Sequence, residues 1–441
     1  MFTPHTKQDE KEMLEVVGVS SIQELLNTIP ADLRSATFHL PPALTEQALT
    51  AHMQALSAQN KPLKNFIGAG MYEHFIPAAV PALSGRGEFL SAYTPYQAEA
   101  SQGTLQTIYE FQSCICSLLE MDVATASHYD GATALAEAVL AAHRVTGRNQ
   151  VIISTLLHPH YKEVLTTYTR HMGLTVLEAK VQPDGTLSLK DLQQELSAQT
   201  ACFVLPTPNF LGNLEHAQEI ASAVHAVGAL LVAVVNPVSL GVVQTPGAYG
   251  ADFAVCEGQP LGNPISFGGP GLGIITAKQA YVRQLPGRMV GIAKDKNGKR
   301  AFVLTLQARE QHIRRERASS NICSNEALCA LNAAIYLTLL GPQGLKEVAA
   351  LNVERAHQLA ELINQVKGFH AGTGAPFFNE FVVTCPVPAR QIIDKLEKRG
   401  IAAGYDLGCI SASMAHGLLV CATEMRSEDD LKEYVRALEE I

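Results

Sequence analysis

Six apolar runs, each about as long as one β-strand, alternate with amphipathic segments through the middle of this chain. The runs are residues 151–154, 175–178, 201–205, 230–235, 253–255 and 273–276. Segments with a helical spacing of apolar residues accompany them at 131–143, 161–172, 189–196 and 216–227. Continuously apolar strands separated by helices are typical of a mostly parallel sheet covered on both faces. The pattern predicts an α/β fold whose ligand site lies beyond the carboxyl ends of the strands.

The remaining sequence predicts a region on either side of this α/β domain, which we place at residues 63–325. Residues 1–62 are expected to form an N-terminal helical arm that packs on a neighbouring domain or subunit, because apolar residues recur at helical spacing between Leu44 and Ala58. Residues 326–441 combine helical and strand-like patterns and predict a smaller α+β domain. A helical region at 345–366 is expected to connect the two larger parts.

Composition excludes several classes of function. The 441 residues are 47% hydrophobic and 17% charged, which is ordinary for a soluble globular protein. The net charge of −9 and the lack of a long basic run argue against a nucleic-acid partner. No secretory h-region and no run of roughly 18 apolar residues is evident, so we expect no membrane partner. The nine scattered cysteines predict reduced thiols in a cytoplasmic protein, and Cys114 and Cys116 would not face each other on a helix.

The stretch from Cys256 to Gly273 contains no lysine. It is a strand-like run followed by a turn with Gly-Gly-Pro-Gly at 268–271, and it resembles the strand and turn that carry the Schiff-base lysine in pyridoxal-phosphate (PLP) enzymes of the aspartate-aminotransferase fold. Only a primary amine forms the internal aldimine of that chemistry. Gln259 stands where the lysine is expected, which suggests a subunit that supports catalysis elsewhere.

The segment 91–106 is dense in aromatic, hydroxyl, amide and acidic groups just before a predicted helix. Pro95 and Gly103 fix the backbone near either end. One interpretation is a capped loop with Ser101 or Thr104 as the helix N-cap, and the other is a functional segment. Composition alone does not decide between them.

A family resemblance favours the functional interpretation. The run Tyr-Thr-Pro-Tyr-Gln-Ala-Glu-Ala-Ser-Gln-Gly at 93–103 resembles a signature of the glycine cleavage system P-protein family. Further resemblances follow in order at 66–72, 130–138, 286–291, 309–323 and 377–381. They span about residues 65–430, and together they are far more specific than any one alone. The family occurs as one long chain or as two shorter subunits, and this length resembles the alpha subunit of the two-subunit form.

The resemblance implies the fold of type I PLP-dependent transferases. It also implies that this chain lacks the residues with which that fold binds its cofactor. It places Gln259 at the lysine position, Gly258 at that of the preceding histidine, and Asn236 at that of the aspartate that holds the pyridine nitrogen protonated. It therefore implies that PLP is carried by a beta subunit within an alpha2beta2 heterotetramer. In that assembly glycine is decarboxylated, and its aminomethyl group passes to the lipoyl arm of H-protein.

We expect this chain to contribute residues in trans to the partner's active site. The candidates share polar or aromatic side chains and are Tyr93, Thr94, Tyr96, Gln97, Glu99, Ser101 and Asn379, the last as a group that could meet the glycine carboxylate. One alternative is an autonomous PLP enzyme that uses another lysine, such as Lys278 or Lys294. The other alternative is a purely structural partner with a closed cleft.

Three further motifs leave two interpretations each. Asp130 to Thr133 is either a capped helix start, which we favour, or an anion site. His158 is either a hydrogen-bonded loop histidine, which we favour, or a residue that stacks on a cofactor ring or binds a metal. The segment 309–317 is either a solvated helix with an ion pair between Glu310 and Arg314 or an inter-subunit contact or anion clamp.

Overall fold

The structure, a computed structural model, describes residues 4–34, 40–90 and 93–441. Ser91 and Ala92, at the start of the polar segment singled out above, lie outside the described residues. The chain divides into two compact units, residues 1–61 and 62–441.

The helices and strands are numbered here in chain order. The α-helices are α1 (Lys7–Val17), α2 (Ile22–Leu25), α3 (Glu46–Ser57), α4 (Ala79–Ser84), α5 (Gln102–Leu119), α6 (Gly131–Thr146), α7 (Pro159–Thr169), α8 (Leu189–Glu195), α9 (Ala217–Ala226), α10 (Gln311–Arg314), α11 (Ala327–Ile363), α12 (Ala389–Glu397) and α13 (Glu428–Glu439). The strands are β1 (Lys64–Asn65), β2 (Val123–Ala124), β3 (Gln150–Ser154), β4 (Thr175–Ala179), β5 (Thr200–Pro206), β6 (Leu230–Val235), β7 (Phe253–Glu257), β8 (Gly273–Ala277), β9 (Val290–Lys294), β10 (Arg300–Leu304), β11 (His370–Ala371), β12 (Glu380–Thr384), β13 (Ile401–Ala402), β14 (Tyr405–Asp406) and β15 (Gly417–Cys421).

The first unit is helical and buries none of its described residues. Helix α1 begins with a reciprocal capping box between Thr6 and Asp9, and it ends at Gly18 in the left-handed conformation. Apolar side chains such as Val16 and Leu33 remain 89% and 71% exposed. The unit has local helix signals but no core of its own, and its role as an arm that packs on a neighbour stays a prediction.

A seven-stranded sheet in the order β2-β8-β7-β6-β5-β3-β4 forms the centre of the second unit. Strands β3 to β7 pair in parallel, whereas β8 is antiparallel to both of its neighbours. All six apolar runs are strands of this sheet, so the predicted α/β class and the mostly parallel sheet are confirmed. The antiparallel direction of β8 was not predicted.

Both faces of the sheet are covered, which explains why its strands are apolar without alternation. On β5, Phe203 and Leu205 belong to one core cluster, while Cys202 and Val204 belong to another. Successive side chains of a strand point to opposite faces, so each face needs its own apolar layer. The first cluster includes residues of α5 and α9, and the second includes most of the buried face of α6.

A four-stranded antiparallel sheet, β11-β12-β15-β14, forms a separate layer near the carboxyl end of the chain. Phe381 and Val420 on this sheet pack with Ile392 of α12 and Tyr434 of α13 in a second core. The short strand β1 pairs in parallel with β13, which ties residues 64–65 to this layer. The helical and strand-like patterns of residues 326–441 are therefore helices and strands in the structure.

Helix α11 links the two cores and is broken once. Gly341 has φ 60° and ψ −178°, and Pro342 follows it, so the helix changes direction there. Before the break, Ala333 packs into the large core, and after it Leu359 packs into the second core. By length and composition alone α11 would be able to cross a membrane, but core helices of soluble proteins meet the same criterion.

Candidate functional site

A cleft lies beyond the carboxyl ends of β5, β6 and β7, where the parallel sheet predicts a ligand site. Its cavity is only about 80 Å³. Small-molecule sites are typically about 300–1,000 Å³, so the cleft is largely filled by side chains. The filling groups share this edge of the sheet and the loops over it, and they include Tyr72, His158, Tyr161, Asn236, Glu257, Asn379 and Glu380.

Gln259, at the expected lysine position, is 1% exposed and fully hydrogen-bonded. Its Nε2 donates to the carbonyl oxygens of Tyr72 at 3.0 Å and Asn263 at 2.8 Å. Its Oε1 accepts from the Tyr72 N–H at 3.0 Å. The amide therefore fastens the loop around Tyr72 to the turn after β7, and no other group is needed to satisfy it.

The start of α6 is occupied by two carboxylates of the chain itself. Asp130 caps the helix by accepting from the Thr133 N–H at 2.7 Å, and the Asp130 N–H donates to the Thr133 hydroxyl oxygen at 3.2 Å. Glu257 accepts from the Gly131 N–H at 3.0 Å and, with its other oxygen, from the N–H groups of Gln259 and Leu272 at 2.9 and 2.7 Å. The capped-helix interpretation is confirmed, because the N–H groups of Gly131 and Thr133 at this terminus already have carboxylate partners.

The carboxyl of Glu257 is nearly enclosed. Burial raises its pKa above the usual range, and the three backbone N–H donors act in the opposite direction. Tyr161 packs over the same helix start, with its hydroxyl against Gly131. The side chains thus supply both the oxygen acceptors and the bulk that a bound anionic group would otherwise supply at this place.

Two other cleft residues are used for local structure. The Asn236 Oδ1 accepts from the Val238 N–H at 3.0 Å, so it caps the turn after β6. The His158 Nδ1 accepts from the His160 N–H at 3.1 Å, and its Nε2 lies 2.8 Å from the Ala69 carbonyl oxygen. This fixes the neutral tautomer with the proton on Nε2. Burial lowers the His158 pKa, and the hydrogen-bonded loop interpretation of His158 is confirmed.

Glu380 is a cleft residue that the sequence did not single out, although it lies within the signature at 377–381. It is 4% exposed, and its carboxylate accepts from the Ala69 N–H at 2.6 Å and from the Tyr72 hydroxyl at 3.0 Å. Burial raises its pKa to about 7 despite these two donors. An acid inside an otherwise apolar strand, Glu-Phe-Val-Val, was the available signal.

Asn379 lies in the same cleft rather than near the segment 93–101. It is 2% exposed, and its Nδ2 donates to the Asn352 Oδ1 at 3.2 Å. The structure therefore does not bring Asn379 together with the other predicted trans residues, and its catalytic assignment stays a prediction.

The described part of the polar segment, Tyr93 to Ser101, presents most of its side chains to the surface. Tyr93 is 77% exposed and Tyr96 is 51% exposed, and Gln97 and Glu99 are also exposed. Ser101 occupies the N-cap position of α5 but its hydroxyl makes no capping bond. These exposed groups are available to another chain, whereas the hydroxyl of Thr94 is buried without a partner among the described residues.

Tyr96 connects this segment to two later motifs. Its hydroxyl lies 3.4 Å from the Arg288 Nη2, and its ring centroid lies 5.7 Å from the Arg288 Cζ. The His312 ring meets the Tyr96 ring edge-on at 5.6 Å. The signatures at 286–291 and 309–323 therefore converge on the segment in space.

The segment 309–317 is not the continuous solvated helix expected from its charges. It is broken into the single turn of α10 between two 3₁₀ turns. The predicted ion pair between Glu310 and Arg314 is wrong, because the Arg314 Nε donates instead to the Ala308 carbonyl at 3.1 Å. Arg315 has φ 55°, a conformation that interrupts a helix.

Among residues 4–34, 40–90 and 93–441, no group of three or more His, Cys, Asp and Glu side chains is arranged to hold a metal ion. Burial raises the pKa of the Cys116 thiol to about 11 and also raises that of Cys114. Both thiols are therefore protonated and weakly nucleophilic near neutral pH.

Comparison with known proteins identifies a family over the whole chain. The model of the family described as glycine cleavage system P-protein matches residues 1–438. A protein named probable glycine dehydrogenase (decarboxylating) subunit 1 from Chlorobium limicola is 50% identical over 441 residues, with 99% of each chain covered. The protein of the same name from Geotalea uraniireducens is 46% identical over 438 residues, again with 99% of each covered.

Solved structures agree. A crystal structure of glycine decarboxylase (P-protein) of the glycine cleavage system, in inhibitor-bound form, superposes with a TM-score of 0.93 at 44% identity and covers 100% of this chain and 99% of that one. A sphingosine-1-phosphate lyase and a NifS-like protein superpose with TM-scores of 0.66 and 0.64 at 14% and 12% identity. The match to the lyase covers 93% of each chain, and the match to the NifS-like protein covers 86% of this chain and 98% of that one. These two support the fold alone, and the predicted type I fold of PLP-dependent transferases is confirmed.

Proposed function

The chain belongs to the glycine cleavage system P-protein family, and we propose that it is the alpha subunit, without its own PLP, of a two-subunit glycine dehydrogenase (decarboxylating). In this proposal a beta subunit carries the cofactor, and two chains of each kind assemble. The name subunit 1 given to its relatives supports the existence of a partner subunit.

The observation that carries the proposal is the hydrogen-bonding of Gln259. The lysine position holds an amide whose donor and acceptor are both used within the chain. Glu257 and Asp130 fill the helix start, and the remaining cavity is about 80 Å³. The residues present do not fit PLP, so we derive no chemical step through the cofactor in this cleft.

The contribution of this chain is proposed to lie in the segment from Tyr93 to Ser101. Its exposed phenol, amide and carboxylate groups would orient glycine or the lipoyl arm at the active site of the beta subunit. PLP held by that subunit supplies the electron sink for the loss of CO2. The aminomethyl group then passes to the lipoyl disulfide of H-protein, so glycine is oxidised and the disulfide is reduced.

The autonomous enzyme has less support, because neither alternative lysine lines the cleft. The Lys278 Nζ donates to the Gly250 carbonyl at 3.0 Å and pairs with the Asp252 carboxylate at 2.7 Å. Lys294 is exposed at the end of β9. A purely structural subunit remains the second candidate, since the filled cleft suits it equally well.

The proposal is tested by reconstitution. The chain is purified alone and together with its beta subunit, each with added PLP, and glycine–bicarbonate exchange is measured in the presence of lipoylated H-protein. We expect exchange only when both subunits are present and no visible aldimine absorbance from this chain alone. Exchange or a stoichiometric aldimine band from the chain by itself would refute the proposal.

A further inference from the structure

Two arginines of the signatures at 286–291 and 309–323 are buried without enough partners. Arg288 is 4% exposed, and its Nε and Nη1 atoms have no hydrogen-bond partner among the described residues. Its remaining contact is the 3.4 Å approach of Nη2 to the Tyr96 hydroxyl. The Nε and Nη2 atoms of Arg309 are likewise buried and unpartnered within that part of the chain.

Gly287, next to Arg288 in the chain, and Arg309 both lie close to His128. Gly287, which directly precedes Arg288, lies against the His128 ring, because a Cβ at Gly287 would be 3.5 Å from Cε1 and 3.6 Å from Nε2. Burial and the charge of Arg309 lower the His128 pKa to about 3, so this imidazole is neutral at physiological pH. Its Nδ1 lies 3.3 Å from the Thr125 hydroxyl, and its Nε2 is buried without a partner among the residues described.

A buried guanidinium without an acceptor is unfavourable, because the charge loses its hydration and gains nothing in return. The Arg fork presents its N–H groups in a plane that suits the two oxygens of a carboxylate or phosphate. Buried arginines whose N–H groups lack acceptors therefore provide the donors that an anion-binding site requires. Glu310 adjoins Arg309 and offsets part of its charge, so Arg288 is the principal donor.

We propose that Arg288 binds an oxyanion, a carboxylate or a phosphate, with Arg309 and His128 as neighbouring donors. Tyr96 covers the site: its ring lies over the Arg288 guanidinium while half of its surface is exposed. A ligand reaches Arg288 when this ring turns aside. Anion binding to the isolated chain does not depend on the proposed function, whereas the association test with the beta subunit below rests on it.

The first test uses the isolated full chain. Its thermal unfolding and calorimetric titration are measured with inorganic phosphate and, separately, with acetate, at constant ionic strength set by chloride. We expect saturable binding and a rise in Tm that follows the ligand concentration. Arg288→Lys keeps the charge but loses the fork, so it should weaken binding by at least about tenfold.

Arg288→Met distinguishes a ligand site from a structural arginine. Removing an unpaired buried charge should raise the Tm of the anion-free chain while abolishing the rise caused by the anion. A structural arginine would show a lower Tm and an unchanged response to phosphate. Arg390→Met is the matched control, because Arg390 lies on α12 with its side chain 69% exposed, and it should change neither measurement.

The source of the oxyanion is decided by the pattern of responses. Binding of phosphate or acetate to the isolated chain assigns a free ligand of that class. If neither binds, but Arg288→Met weakens association with the beta subunit in sedimentation experiments and Arg390→Met does not, the anion is a group presented by the partner. Absence of saturable binding together with unchanged association would overturn the proposal.

Discussion

The side chain of Gln259 pairs with the backbone of Tyr72 as one peptide group pairs with another. Its Oε1 accepts from the Tyr72 N–H and its Nε2 donates to the Tyr72 carbonyl, both at 3.0 Å. A lysine has donors but no acceptor, so it cannot reproduce this pairing. The residue at the expected lysine position therefore binds the loop around Tyr72, which lines the cleft.

Gln259→Lys should lower the stability of the protein, and it should not produce a PLP enzyme. The Tyr72 N–H would lose its acceptor in a buried place, so the free energy of unfolding should fall by about 1–3 kcal/mol. Glu257 still occupies the start of α6, so we expect no visible aldimine band and no pyridoxyl adduct after borohydride reduction. Urea unfolding, absorbance and peptide mapping are the measurements.

Gln218→Lys is the control, because Gln218 is exposed on α9. It should stay within about 0.5 kcal/mol of the unchanged protein. Stoichiometric modification of residue 259 in the first variant would mean that the cleft still accepts the cofactor.

The start of α6 should not tolerate one added methyl group. A Cβ at Gly131 would meet the Tyr161 hydroxyl and lie 2.8 Å from the Glu257 backbone nitrogen. Gly131→Ala should therefore lower the free energy of unfolding by about 1–3 kcal/mol. Adding Tyr161→Phe should restore part of the loss, since it removes the hydroxyl but leaves the backbone contact.

The matched control is Gly103→Ala in α5, where no atom lies within 4 Å of the new Cβ. This change should stabilise the protein by about 0.5–1 kcal/mol, because alanine restricts the unfolded chain. Equal effects at the two glycines would show that the helix start is not packed as described.

Stability should depend on the protonation of Glu380. Its pKa is about 7 in the folded chain and 4.5 in the unfolded chain, so between these values the folded state binds the extra proton. Stability from this group is then present at low pH and is lost as the pH rises from about 4.5 to 7. At about 1.4 kcal/mol per pKa unit the loss is on the order of 3 kcal/mol.

Glu380→Gln keeps an acceptor for the Ala69 N–H and cannot titrate. The difference in unfolding free energy between this variant and the unchanged protein should be smallest near pH 5 and grow in favour of the variant up to about pH 8. Urea unfolding at each pH measures it. Parallel curves for the two proteins would contradict a raised pKa at Glu380.

The sequence predicted the scaffold better than the site, and the reason is the range of the interactions. The apolar residues at 230–235 and 131–143 are those that the strand and the helix bury, so their spacing along the sequence predicts each element directly. The role of Glu257 depends on Gly131, more than a hundred residues away in the chain. No local pattern distinguishes such a carboxylate from a solvated one.

Two sequence predictions differ in the kind of pattern on which they rest, one on a motif and the other on charge spacing. The assignment of Gln259 to the lysine position rests on a motif and stays a prediction, and the structure adds what its amide binds. The ion pair between Glu310 and Arg314 was wrong although the helical turn between them forms, because the Arg314 side chain donates to the Ala308 carbonyl instead. Charge spacing along a helical turn does not by itself decide which acceptor a long arginine side chain binds.

The exposed tyrosines of the segment Tyr93 to Ser101 should affect turnover at the partner's active site. Tyr93→Phe or Tyr96→Phe removes one hydroxyl and leaves the ring, so assembly should persist. A hydrogen bond to a charged group contributes about 1.5–3 kcal/mol, which corresponds to a loss of roughly ten- to a hundredfold. If the bond forms only in the transition state, kcat and kcat/KM should fall together.

This last prediction separates a subunit that contributes groups in trans from a purely structural one. Variant alpha chains are mixed with unchanged beta subunit, glycine–bicarbonate exchange is measured at steady state, and assembly is checked by size-exclusion chromatography. Tyr109→Phe, on α5 with its ring packed against Phe302, serves as the control for loss of a phenol elsewhere. Unchanged rates for the Tyr93, Tyr96 and Glu99 variants, with assembly intact, would leave the structural role as the better account.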